Sequence, residues 1–521
     1  MSADSSVYLA DVAMTLCDMG YSQYHQYQYV KAERFYLEAL TIRKQLAISV
    51  PDVFLPKVAY ILGYLANIQY QTKRSKEAIL SYVEALEIYR KCEKEKFGKN
   101  LPEIGRILYN LGVVQKSLNQ YFEAEKNYKE SIKIRRKLAK NNPKYLPDLA
   151  TTINNLAVMQ DDLKNYADAE KNYNEALRIR RKLAKDTPEI YEYEVANTLY
   201  NIAILFKNQK RLDEAIKTYL KSLAIYRKLS KTNSNYLSDV IKTLSKLAAL
   251  QEDLHLDTDL EDNYKESIGI YRKLVKEKTE IKLPKIATLL SNLAAVHKRM
   301  ERYREAEDEY IEVIKIRIKL SCKDPNMHIF AGEAQYNLAL LYEKQKRYDD
   351  AVRLYEKAIV SFEKMKDRLM EKQELISLAL FKIAEIEDVQ QQYETAEVHY
   401  QQSLNLRRKL MEDNPKVNLI KVADTLNSLA IAQKKQKKYK ESEQNYNEAI
   451  YFYTRLYDEG SNSYLSRIAM VKYNLAYLKK EMCDRDSFIL LLQESLSLYS
   501  QLGDKYKNMT NKIQTIIKEA Q

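Results

Sequence analysis

Residues 166–183 read Y-A-D-A-E-K-N-Y-N-E-A-L-R-I-R-R-K-L. Tyr166, Ala169, Tyr173, Ala176, Ile179 and Leu183 recur at steps of three and four, which puts them on one stripe of a helix. The stretch before it, L-A-T-T-I-N-N-L-A-V-M-Q at 149–160, carries a second stripe through Leu149, Ile153, Leu156 and Ala157. Lys164-Asn165 leaves space for only a very short turn, so the two helices are antiparallel neighbours. Pro147-Asp148 suits the first turn of the first helix, where a missing N–H costs nothing and a carboxylate meets the positive end of the dipole. The basic I-R-R-K-L closes the second helix at its negative end. Small residues at Ala157, Ala169 and Ala176 let backbones approach closely, and tyrosine rings fill the wider gaps.

This helix pair is one copy of many. A Gly or Ala stands at Gly20, Ala66, Gly112, Ala157, Ala203, Ala248, Ala294, Ala339, Ala384, Ala430 and Ala476, always 45 or 46 residues apart and always after Leu, Ile or Met. Sixteen residues further on stand Tyr36, Tyr82, Tyr128, Tyr173, Tyr219, Tyr264, Tyr310, Tyr355, Tyr400 and Tyr446, with Leu492 closing the series. One pair cannot bury both of its stripes, but a stack of pairs can. The pattern predicts an all-α, right-handed superhelical solenoid: eleven helix-pair repeats over residues 1–502 and a capping helix over 503–521, where Ile513, Ile516 and Ile517 share a face. At the front, Tyr8-Leu9-Ala10-Asp11 reads like the entry to an internal copy. Such a start predicts either an array cut from a longer chain or an N-terminus that docks on something. The sixth copy is irregular: Lys246 replaces the usual Asn, Asp257 the turn aromatic and Leu260 the Ala. A hinge and a partner contact are both open readings of it.

Composition agrees with a long helical array. Nine Gly and nine Pro among 521 residues are too few for a turn-rich β fold or a Gly-rich disordered chain. No apolar run is long enough to span a membrane, and the first residues lack the features of a secretory signal. Four scattered cysteines, Cys17, Cys92, Cys322 and Cys483, suit a reducing compartment, so a cytoplasmic location is expected. The net charge of +13 arises from 85 basic against 72 acidic residues, an excess that permits acidic partners without demanding nucleic acid.

The unit resembles the tetratricopeptide repeat. Ile153, Leu156 and Ala157 hold the first-helix places of that family's pattern, and Ala169, Tyr173 and Ala176 the second-helix places. Long units with N-N-L-A, A-E and I-R-R-K-L look like those of kinesin light chains, and are similar to arrays in bacterial signalling and defence proteins. The resemblance implies a stack whose first helices line a concave, peptide-gripping face. Two departures stand out: eleven or twelve residues more than the usual 34, and no Pro closing the second helix.

Enzyme chemistry finds no support. The five His lie in different copies, with no metal-ligand spacing and no H-E-x-x-H, and there is no Gly-rich phosphate loop or G-x-S-x-G. No cofactor or metal is expected. Binding residues are therefore sought on the first helices. Asn recurs two places before the small residue at Asn110, Asn155, Asn201, Asn292, Asn337 and Asn474. The place before it is aromatic at Tyr109, Tyr200, Tyr336, Phe381 and Tyr473. An amide both donates and accepts, so a ladder of them can hold a peptide backbone; the alternative is that each Asn bonds within the array. Beyond the small residue, Lys116, Lys207, Lys298, Arg299, Lys344, Lys434 and Lys435 are interspersed with acids at Asp161, Asp162, Glu252, Asp253 and Asp388. This mixture suits a polypeptide partner better than a nucleic acid. The triplets Arg135-Arg136-Lys137, Arg180-Arg181-Lys182 and Arg407-Arg408-Lys409 are expected to form a basic ridge, the basis for RNA binding as an alternative. The leading expectation is a non-catalytic protein- or peptide-binding scaffold. A partner-sensing module of a larger signalling or defence protein is the second.

Overall fold

Two amphipathic stripes joined by a tight turn fold as an antiparallel pair, and the chain repeats that event along its length. The computed structural model describes residues 3–95, 98–277, 282–458 and 464–520, and those residues are all-α. α1 (Ala3–His25) pairs with α2 (Tyr29–Ser49), α3 (Pro51–Gln71) with α4 (Ser75–Glu95), and α5 (Leu101–Ser117) with α6 (Tyr121–Asn141). α7 (Leu146–Asp162) pairs with α8 (Tyr166–Asp186) and α9 (Pro188–Asn208) with α10 (Leu212–Thr232); α11 (Leu237–Asp253) follows. These make the first of two compact units, Met1–Leu254.

The second unit, His255–Gln521, opens with α12 (Asp257–Glu277). Its pairs are α13 (Leu283–Arg299) with α14 (Tyr303–Ser321), α15 (His328–Lys344) with α16 (Tyr348–Glu363), and α17 (Leu369–Val389) with α18 (Tyr393–Asp413). α19 (Pro415–Lys435) with α20 (Tyr439–Asp458) and α21 (Leu465–Glu481) with α22 (Arg485–Gln501) complete them, and α23 (Lys507–Ala520) packs on α22. We call the odd-numbered helices α1–α21 the A helices and their partners the B helices. Each B helix packs on the next A helix within its unit, and A helices such as α3 and α5 also touch.

The core is one contact used again and again. The periodic tyrosines Tyr36 to Tyr446 are at most 7% exposed, each a B-helix ring buried inside the stack. In two copies the A-helix residue beneath the ring is glycine. A Cβ built on Gly112 would lie 2.9 Å from the Tyr128 ring, and one on Gly20 would lie 3.0 Å from Tyr36. At these two places the ring lies too close for a Cβ, so glycine fits there, and the other copies carry alanine at the same position. Between copies, the apolar residue preceding the small one fills the seam. It is at most 4% exposed at Leu65, Leu111, Leu156, Ile202, Leu247, Leu293, Leu338, Ile383, Leu429 and Leu475. Met19, its counterpart in α1, is 44% exposed, and Val7, Tyr8 and Met14 are exposed beside it. On α23, Ile513 and Ile517 are buried in a cluster with Phe488, Leu492 and Tyr499, while Ile516 is half-buried. In the sixth copy, Leu260 is fully buried where other copies have Ala.

Every A helix ends the same way. Seven residues after the small one, a non-glycine residue adopts left-handed backbone: Tyr27, Lys73, Asn119, Lys164, Lys210, His255, Glu301, Lys346, Gln391, Lys437 and Cys483, all with φ between 54° and 64°. In α7 the turn closes with Lys164 N–H donating to the Asp161 carbonyl (2.9 Å) and Asn165 N–H to the Gln160 carbonyl (2.8 Å). This double bond pattern is the Schellman cap. A side chain in that conformation costs about 1 kcal/mol. The chain tolerates that cost in each copy because the cap reverses it within two residues.

Two stability predictions follow from these contacts. Lys164→Gly and Lys210→Gly, at exposed positions, should each raise unfolding free energy by roughly 0.5–1 kcal/mol in denaturant titrations. Tyr219 has a buried hydroxyl without a hydrogen-bond partner among the described residues. Tyr219→Phe should therefore hold or raise the melting temperature, whereas Tyr219→Ala should cost roughly 3–5 kcal/mol.

Candidate functional site

In the first unit the A helices leave a groove of about 540 Å³. Its lining comes from α1 (Tyr21, Tyr24, His25), α3 (Tyr64, Asn67, Tyr70) and α5 (Arg106, Tyr109, Asn110), with contributions from α4, α6 and α7. Rings dominate. Tyr64 sits at their centre, 6.1 Å from Tyr21, 6.2 Å from Tyr24, 4.8 Å from Tyr60 and stacked on Tyr36 at 5.4 Å. Tyr109 lies 6.1 Å from Tyr128, with the Arg135 guanidinium 5.0 Å above its ring. Both groove arginines are engaged from within. Arg106 Nε donates to Glu103 at 2.8 Å, and Arg135 donates to the Asp148 carbonyl at 2.7 Å and to Thr152 Oγ1. The Asn67 side-chain oxygen accepts from both the Asn110 amide (3.1 Å) and the Tyr82 hydroxyl.

The predicted asparagines divide into two sets. Asn110 lines the groove but donates to Asn67; Asn155 donates to the Tyr109 hydroxyl of the preceding copy (2.8 Å), and Asn474 to Asn427 (3.3 Å). Asn201, Asn292 and Asn337 donate to no side chain among the described residues, and Asn292 is exposed. The aromatics next to them pack inward within their own copy: Tyr200 on Tyr219 (5.4 Å), Tyr336 on Tyr355 (5.1 Å) and Phe381 on Tyr400 (5.4 Å). Tyr473 instead meets Tyr477 at 4.9 Å. Of the predicted aromatics, Tyr109 is the one in the groove lining.

The charged positions largely pair across the seams. Lys116 meets Asp162 at 2.9 Å, Asp161 accepts from Asn208 at 3.0 Å, and Lys434 meets Glu481 at 3.4 Å. Burial pushes the Asp388 carboxyl up, and Lys435 opposes that shift. Arg299 Nη2 holds Asp257 at 2.6 Å, which gives the irregular turn residue of the sixth copy a partner. Lys298 has its ammonium pulled below the usual range, first by burial and then by Lys344. Lys207 and Lys344 are exposed, the latter 5.2 Å over the Tyr303 ring.

The expected basic ridge is not what the triplets form. Arg135, Arg180 and Arg407 are buried, each donating to a threonine and a backbone carbonyl of the next A helix; Arg180 reaches Thr198 at 2.6 Å and Arg407 reaches Thr425 at 2.6 Å. Burial pushes the Arg407 guanidinium down to about 10. The second arginine of a triplet pairs with a B-helix glutamate one copy on, Arg136 with Glu175 (2.8 Å) and Arg408 with Glu448 (2.7 Å). The reason is helical phase: adjacent residues point about 100° apart, so a run of three cations cannot share one face. Arg180→Ala should accordingly cost roughly 1–3 kcal/mol, because it removes a buried guanidinium bonded to Thr198 and paired with the partly exposed Glu194. Arg181→Ala, at an exposed site, should change stability by no more than about 0.5 kcal/mol; denaturant unfolding of the two variants checks the contrast.

Sequence reasoning missed Tyr21, Tyr24, Tyr64, Asn67 and Arg106. Their signal is tyrosine density, in Y-S-Q-Y-H-Q-Y-Q-Y at 21–29 and Y-I-L-G-Y-L-A-N-I-Q-Y at 60–70, where the Asn pattern is absent. Elsewhere, a 400 Å³ cavity between the last pair and α23 is a seam of the C-terminal cap, with Arg485 Nε donating to the Ala520 carbonyl at 2.9 Å. Among the described residues no group of three or more His, Cys, Asp or Glu could hold a metal ion, and no helix is long and apolar enough to cross a membrane.

Stacked antiparallel pairs with a ligand-sized groove along one set of helices define a helical-repeat protein. Two family models described as tetratricopeptide repeat match the chain, one at 103–182 and 285–364, the other at 195–235 and 422–462. These four segments, a little under half of the chain together, match as tetratricopeptide repeats. Solved structures similar to it include BtubC (BKLC) from P. vanneervenii, 17% identical over 48% of this chain and 93% of that one, with a TM-score of 0.37. The apo form of RapI is 16% identical over 59% of this chain and 98% of its own, at a TM-score of 0.38. The nearly identical TPR-like repeats of a Podosopora anserina kinesin light chain protein are 15% identical over 43% and 99%, at 0.35. No curated protein matches the chain.

Proposed function

We propose that the chain is a non-catalytic scaffold that captures a polypeptide segment along the A helices of its first unit, in the cytoplasm. The groove from Tyr21 to Tyr109 carries this reading, because it combines ring surface with amide and phenol groups on a rigid helical frame. Four free cysteines support the reducing compartment. Tetratricopeptide repeats as interaction modules support the absence of catalysis. Asn110 and Tyr109 are the predicted residues that would touch the ligand there. Asn201, with Lys207 exposed on the same helix, holds the same register position in the first unit, and Asn292 and Asn337, with Lys344 exposed, hold it in the second.

Random peptides selected on the full chain supply the probe. Asn110→Ala should weaken the selected peptides roughly fivefold to tenfold while leaving the melting temperature within a degree or two. Asn155→Ala strips the Tyr109 hydroxyl of its donor and should lower the melting temperature more than the affinity. Equal losses in both variants, or no peptide retained at all, would defeat the reading.

A further inference from the structure

The B helices of the first unit follow a charge rule that breaks at one seam. A cation 24 residues after one small residue meets a glutamate 18 residues after the next: Lys44 with Glu84 (2.9 Å), Arg90 with Glu130 (2.6 Å) and Arg136 with Glu175 (2.8 Å). Arg272 with Glu312 and Arg408 with Glu448 repeat the pair in the second unit. Arg181 of α8 is the next cation of the first-unit series, but the residue in the glutamate's place on α10 is Lys221. Both are exposed, and neither has an ion pair or side-chain hydrogen bond among the described residues. Like charges stand where each earlier rung holds opposite ones, so this seam wants an anion.

Arg181 also lines a groove of about 420 Å³ along α8, with Asn174, Leu177, Arg178, Lys182 and Lys185. These positions share one stripe of the helix, so its four cations stand within about 10 Å of helix length. Arg178, Lys182 and Lys185 are exposed and, like Arg181, unpaired among the described residues. Cations three and four residues apart on a helix repel, and a polyanion relieves them. Glu175, on the same helix, is held by Arg136, and no carboxylate lines the groove. No aromatic lines it either, so it lacks the ring surface on which single-stranded nucleic acid stacks. Leu177, its one apolar lining residue, is buried, so the groove offers nothing to insert into a bilayer. An extended acidic peptide turns alternate side chains away, which leaves about 7 Å between acids on one face. Phosphates linked through shared oxygens carry charge on every unit, and guanidinium forks take their oxygens in pairs. We propose that this groove, with Lys221 across the seam, binds a soluble oligophosphate. The site lies on B helices and is independent of the A-helix groove.

The test is isothermal titration calorimetry of inorganic tripolyphosphate into the full chain, with a Glu-rich decapeptide, single-stranded RNA and phosphoinositide-containing vesicles as rival probes. Tripolyphosphate should bind tightest, at one per chain, and raise the melting temperature. Arg178→Gln and Arg181→Gln, at exposed sites where folding is not at stake, should each weaken it roughly tenfold. Lys221→Glu supplies the glutamate that the series lacks. It should weaken tripolyphosphate at least roughly tenfold, while the melting temperature of the free chain holds or rises. Arg408→Gln removes a cation that already has its glutamate and should leave binding unchanged. Peptides selected on the A-helix groove should bind Lys221→Glu as they bind the parent chain, which separates the two sites. Tripolyphosphate binding that is indifferent to Arg181→Gln and Lys221→Glu, or that falls equally in Arg408→Gln, overturns the inference. Tighter binding of the decapeptide, RNA or vesicles that Lys221→Glu removes overturns it too, as does the failure of every probe to bind.

Discussion

A tyrosine ring laid on a glycine or alanine is the contact on which the rest depends. It brings A and B helix backbones close, and it buries the largest side chain in each copy with little loss of rotamer entropy. It also sets a spacing that the next copy must match. Because the ring at Tyr128 leaves less than 3 Å for any Cβ on Gly112, the small residue is a steric condition and not a preference. The left-handed cap after each A helix serves the same contact. It turns the chain quickly enough for the B helix to present its tyrosine to the A helix it has just left.

Most of the fold was legible because the stack uses one local solution repeatedly, so period and residue size carry nearly all the information. Ala157 with Tyr173, and Lys164-Asn165 as the turn, are readable from spacing alone. What spacing could not show was which polar residues the seams would use. Asn155 and Asn110 share a register position, yet one donates to a phenol and the other to an amide that lines the groove. The difference lies in the preceding copy, where Tyr109 stands in one case and Gly63 in the other. The arginine triplets failed for a related reason. A linear run of charge looks like one surface, but rotation about the helix sends Arg180 into the core and Arg181 outward.

The site was half legible. Repeated asparagines pointed to Asn110 of the groove lining and to others outside it, since in α3 a tyrosine takes the asparagine's place. Tyr64 occupies the place that Asn holds in α5 and α7, and Asn67 sits three residues later on the adjoining turn. A consensus search discounts departures of this kind, yet a copy freed from the common pattern is free to take up a ligand.

That freedom has an electrostatic side. With 85 basic and 72 acidic residues, the chain sets part of its charge between copies. Lys44 with Glu84, Arg90 with Glu130 and Arg136 with Glu175 run from one B helix to the next. Arg74 with Glu33 and Arg211 with Glu170 tie each turn to the copy before it. Exposed pairs of this type add little stability one by one, and their geometry matters more: a slip of one copy against the next would set like charges face to face. Beside that charged register, ring and amide groups supply a second kind of surface. In the first unit those groups converge on the tyrosines of α1, α3 and α5.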